Sequence, residues 1–202
     1  MSLAFHAADN IDHLKEAQEW VTKVYKQVYY VGCKHSSDTA KRFEQIKTKR
    51  KINCEGSASI VYQKAGIIPI GQTVSHTSGG HDVSYYDKEN LQKSISLSFV
   101  RAGNLKKGTC DLVKVMKKFD NMPNWLKTKG IMYVQDSNIC ISYGNNKIFS
   151  CNLTGETYSR NHRNPLQSSS YPFNHPILWA VVPRSNGKSN VYSGTTYKHI
   201  PC

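Results

Sequence analysis

Cys54 has the strongest chemical setting in the chain. It follows the basic run Lys47-Thr48-Lys49-Arg50-Lys51 and opens a stretch whose apolar residues recur at helical spacing. A cysteine at a helix N-terminus meets unpaired backbone N–H groups and the positive end of the helix dipole. Nearby lysine and arginine add to that field, so the thiolate is favoured and becomes nucleophilic near neutral pH. Burial as a small apolar residue is the competing use of a cysteine in such a place.

A nucleophilic thiol needs a base, and the base needs a group that fixes its ring. The chain has eight histidines. His81, with His76 close by, lies on a glycine-rich stretch after the Cys54 segment, where it could swing over a cleft; Asp82 beside it could orient an imidazole. His175, just before the last strand, is a weaker candidate. His6, His13, His35, His162 and His199 sit in polar surroundings and read as exposed.

The elements that must position these groups are legible in the periodicity. Asp9 can cap a helix running to Tyr30, with Leu14, Ala17, Val21, Val24, Tyr25 and Val28 as its apolar stripe and Gly32 as its stop. The Cys54 helix carries Ala58, Val61, Tyr62 and Ala65 on one face. Gly66 stands where a glycine after the helix end belongs, and Pro69 blocks continuation. Residues 71–92 read as a long loop of the kind that often walls a cleft.

From Gly108 the period switches to two. Leu112 to Val115 and Ile131 to Val134 read as strands, separated by an excursion over residues 117–129. Ile139, Ile141 and Tyr143 alternate before the turn residues Gly144-Asn145-Asn146, and Lys147 to Cys151 returns as a hairpin. Residues 152–174 read as loop, Ile177 to Val182 as a final strand, and the tail carries no signal. Helices followed by an antiparallel meander make an α+β pattern, with helices on one face of a sheet. At 202 residues the chain reads as a single domain, 1–202, able to bury a core without staples.

Composition narrows the partners. The net charge of +13 creates a field that attracts polyanions: nucleic acid, anionic membrane, or the anionic polymers of a bacterial wall. No apolar run approaches the roughly 20 residues that span a bilayer, and no signal peptide is visible. The six cysteines show no C-x-x-C pair and no zinc spacing. Cys110, Cys140 and Cys151 fall in strand-like segments and read as core hydrophobes. Free thiols are therefore expected, in a reducing compartment or in an exported bacterial protein with few bridges. No phosphate loop, dinucleotide turn or H-E-x-x-H pair is present, so neither cofactor nor metal is expected. Tyrosines mixed with lysines could stack single-stranded nucleic acid, but no recognised module organises them and a nucleic-acid partner is not expected.

The chain resembles the NlpC-like cell-wall peptidases, papain-like cysteine hydrolases that cut peptidoglycan stem peptides. The resemblance rests on Ile52-Asn53-Cys54-Glu55-Gly56 with its helix, Lys107 to Val113, and Asn138 through Cys151. The leading Trp20 helix and Tyr29-Tyr30-Val31-Gly32 are similar to the family's first helix and its tyrosine near the site. It implies a papain-like fold, Cys54 as nucleophile, and Tyr29 and Tyr30 against substrate. It implies peptidoglycan peptides or another anionic wall polymer as partner, in an extracellular, wall-bound or phage-associated setting.

The family's base, a histidine opening the first hairpin strand, falls on Asn138, and its orienting residue falls near Ser150. Asparagine cannot serve as a general base at neutral pH. Three readings stay open: a degenerate site that binds without cutting, a base supplied from elsewhere such as His81, or a likeness of fold alone with Cys54 in the core.

Overall fold

The computed structural model of the chain describes residues 10–27, 29–30, 51–52, 54–69, 105–119, 121, 123–134, 139–145, 147–149, 166–168, 177–192 and 197–202. The elements in chain order are α1 (His13–Gln27), β1 (Tyr29–Tyr30), β2 (Lys51–Ile52), α2 (Cys54–Lys64), β3 (Cys110–Lys117), a 3-10 turn (Asn124–Lys127), β4 (Met132–Val134), β5 (Ile139–Gly144), β6 (Lys147–Phe149), β7 (Leu166–Ser168), β8 (Ile177–Pro183) and β9 (His199–Pro201). The α+β class expected from the sequence is what forms.

Helix α1 is shorter than its periodicity suggests. Its cap is Asp12, whose Oδ1 accepts the Lys15 N–H at 2.9 Å, satisfying one of the orphan donors of the first turn. The expected cap, Asp9, lies outside the described residues. At the other end Tyr29 and Tyr30 leave the helix and pair as a strand. Ala17, Val21 and Val24 of the expected stripe are buried.

Helix α2 is more deeply enclosed than an amphipathic stripe requires. From Ala58 to Gln63 every residue is buried, Ser59 and Gln63 included. A helix buried on all sides is a central one, covered by more than one layer; α2 packs against both α1 and β5. Gly66 ends it at φ +75°, a conformation that costs glycine little.

Seven strands form one sheet in the order β7-β6-β5-β4-β8-β3-β9, and every pairing in it is antiparallel. The expected meander is corrected on two points. Strand β8 inserts between β3 and β4 rather than extending an edge, and the tail that carried no signal supplies the edge strand β9. The β5–β6 hairpin forms as expected, with Asn145 at φ 51° in its turn.

Alternation along the strands divides the core in two. Leu112, Met132, Ile139, Ile141 and Val181 face the two helices. Val113, Tyr133, Cys140, Ile148, Ala180 and Val182 face the opposite side. Leu126 of the 3-10 turn closes that second core, beside Trp125 and Tyr197 with ring centroids 5.7 Å apart.

Two expectations about single residues are overturned. Cys110 is not a free thiol: it forms a disulfide with Cys202 across a sequence separation of 92, which fastens the end of β9 to the start of β3. Cys140 is a buried thiol, as expected. His13 is not exposed but 2% accessible. The Leu14 N–H donates to the Arg184 carbonyl at 3.1 Å, drawing the helix start onto the end of β8, and a side chain at position 66 would meet the His13 ring at 3.9 Å.

Candidate functional site

Cys54 is the first residue of α2. The basic run before it ends in β2, where Lys51 and Ile52 pair in parallel with Tyr29 and Tyr30, Tyr30 opposite Ile52. Strands paired in this way lie about 4.8 Å apart. The backbone that leaves α1 and the backbone that enters α2 therefore run side by side, two residues before Cys54. The Tyr29-Tyr30 backbone and the chain entering α2 are thus neighbours although distant in sequence.

The helix behind Cys54 is firmly held. The Tyr62 hydroxyl lies 2.9 Å from the Gly130 carbonyl and 3.0 Å from the Val181 carbonyl, fixing α2 where β4 begins and β8 ends. Burial pushes the Tyr62 phenol well above its usual range, so it stays a neutral donor. A helix with a fixed axis keeps its N-terminal amides in a fixed direction, as a charge-stabilising site requires.

Strand β5, against which α2 packs, begins at Ile139, whose side chain is in the helix-facing core. Asn138 immediately precedes that strand and Ser150 immediately follows β6; both lie outside the described residues, as do His76, His81, Asp82 and His175. Of the expected site, the backbone entering α2 and the Tyr29-Tyr30 strand are neighbours, and the expected base and orienting positions fall beyond what is described.

Two features near this framework had no counterpart in the sequence reading. Asp111, 1% exposed, is held by Arg184 through a two-pronged pair, Nη2 to Oδ1 at 2.9 Å and Nε to Oδ2 at 3.1 Å. This pair locks β3 to the segment that anchors α1. The carboxylate also holds the Arg184 guanidinium above its usual pKa. The second is a lysine-rich face on α1, carried by aromatic contacts that no linear motif encodes. Among the described residues, no group of three or more His, Cys, Asp or Glu side chains could hold a metal ion. No helix among them is long and apolar enough to cross a membrane.

Comparison of the chain with protein-family models, curated proteins and solved structures finds no match in any of the three.

Proposed function

We propose that the protein is a papain-like, NlpC-like cysteine hydrolase that cuts peptide or amide bonds in bacterial cell-wall stem peptides, with Cys54 as nucleophile. The observation that carries this reading is the parallel β1–β2 pairing, which sets Tyr29-Tyr30 beside the entry to a buried central helix whose first residue is Cys54. A helix N-terminus stabilises a thiolate through its dipole and free amides.

In the reaction, the Cys54 sulfur attacks the scissile carbonyl carbon. The tetrahedral oxyanion draws on the Cys54 backbone N–H. The amine leaves with a proton as the thioester forms, and water then hydrolyses the thioester to a carboxylate and restores the thiol. Asn138 cannot accept the proton, so the base in this reading is a histidine supplied from elsewhere, His81 first.

Muropeptides incubated with wild-type protein and with Cys54→Ala test the proposal. It expects cleavage by the first and none by the second; equal background cleavage by both would sink it. A second reading, favoured by asparagine at position 138, is a catalytically degenerate module on the same architecture that binds wall or another polyanion. It expects no cleavage, an ordinary thiol at Cys54, and salt-sensitive wall binding.

A further inference from the structure

On the solvent side of α1, Lys15, Gln18, Glu19, Thr22 and Lys23 join Lys129 around an open depression of about 500 Å³. Two of its lysines, Lys23 and Lys129, are held by rings and a hydroxyl rather than by carboxylates. The Lys129 ammonium donates to the Thr22 hydroxyl at 3.2 Å and sits 4.2 Å from the centre of the Tyr143 ring. Tyr143 is braced edge-on by Tyr25 at 5.4 Å. The Lys23 ammonium group lies 4.8 Å from the Trp20 ring. A ring face attracts a cation but leaves its charge intact, whereas a carboxylate cancels it. Glu19 is the one acid on the depression, and among the described residues no ion pair joins it to Lys15, Lys23 or Lys129. Three cations against one anion leave the surface positive, within a chain of net charge +13.

We propose that this face of α1 is a docking surface for a phosphodiester-linked anionic polymer of the poly(glycerol phosphate) type. Ammonium groups act as point charges and do not impose the planar fork by which arginine reads one phosphate or carboxylate. An open row of them suits a flexible chain bearing single charges better than a small enclosed ligand. Nucleic acid carries the same phosphodiesters but gains much of its affinity from bases stacked on open rings. Here the Trp20 and Tyr143 rings already carry lysine ammonium groups. The Cys110–Cys202 disulfide points the same way, because such bridges persist in oxidising, extracytoplasmic surroundings. The choice of polymer rests on the wall-directed reading above; the anion site itself does not, and it does not involve Cys54.

Binding of fluorescently labelled poly(glycerol phosphate), measured by anisotropy across a salt series, tests the proposal. The triple variant Lys15→Gln/Lys23→Gln/Lys129→Gln should bind tenfold or more weakly, with the slope of log affinity on log salt shallower by about 2, roughly 0.7 per lost contact. The charge-matched control Lys107→Gln/Lys118→Gln/Lys198→Gln, at exposed lysines elsewhere, should lose far less. Lys15→Gln alone should weaken binding about threefold and keeps the test alive if the triple variant unfolds. Equal losses in the triple variant and its control, no binding by the wild type, or tighter binding to an oligothymidylate of equal charge would each overturn the proposal. Cys54→Ala should bind like the wild type, so failure of the hydrolase reading and failure of this one are told apart.

Discussion

Tyr30 stands opposite Ile52 in a parallel backbone pairing, two residues before Cys54. Twenty-odd residues separate the two strands in sequence, so this contact is made by the fold and not by local chain geometry. It ties the end of one helix to the start of the next. The Tyr62 hydroxyl secures the far half of the same helix.

The disulfide should matter to stability. Closing a loop of this length removes conformational freedom from the unfolded chain and contributes about 2–4 kcal/mol in typical cases. Cys202→Ala should lower the melting temperature by about 5–15 °C, at roughly 2–4 °C per kcal/mol for a chain of this size. Wild-type protein treated with a reductant in mild denaturant should converge on the variant's value. Calorimetry on both samples checks this, and unchanged melting in the variant would contradict it.

The Asp111–Arg184 pair gives a sharper expectation. Arg184→Met leaves a carboxylate that is 1% exposed without its partner, which should cost about 2–4 kcal/mol in urea unfolding. Adding Asp111→Asn should restore part of that loss, because the uncompensated charge is then gone. A double variant no more stable than Arg184→Met would show that the pair acts through packing and not through charge.

His13 should make stability fall in mild acid. Burial lowers its pKa from 6.5, with Lys106 adding to the shift and Asp12 opposing it. The folded state therefore binds fewer protons at His13 than the unfolded chain does. Its contribution is complete above about pH 6.5 and is lost as pH falls from there through the lower folded-state value. Urea unfolding at about pH 8 and about pH 5.5 should show a smaller acid loss for His13→Gln than for the wild type. Parallel pH profiles would remove His13 from the account.

Tyr62→Phe removes only the hydroxyl that reaches the Gly130 and Val181 carbonyls. Loss of one buried hydrogen bond should cost about 1–2 kcal/mol. If α2 also shifts, alkylation of Cys54 should change with it, whereas a purely local effect would leave that rate alone.

What the sequence made legible was local in origin. The Ala17, Val21 and Val24 part of the α1 stripe, the Gly66 stop and the β5–β6 hairpin each follow from spacing within a dozen residues, and each formed. What it hid depends on distant partners. Nothing near Cys202 announces its bond to Cys110, nothing in β8 shows that it slots between β3 and β4, and His13 is buried near Gly66, some fifty residues away in sequence. The start of the candidate site was readable because a basic run, a cysteine and a helical period are contiguous. The lysine face of α1 was not, because Lys129 reaches Thr22 and Tyr143 only after the fold has closed.

The proposed role of Cys54 requires an activated thiol. Its rate of alkylation by iodoacetamide, followed across pH by mass spectrometry of the Cys54 peptide so that other thiols do not interfere, tests this most directly. A nucleophilic Cys54 should titrate well below the ordinary cysteine value of about 8.5. A midpoint at or above that value would contradict it and leave Cys54 a structural residue.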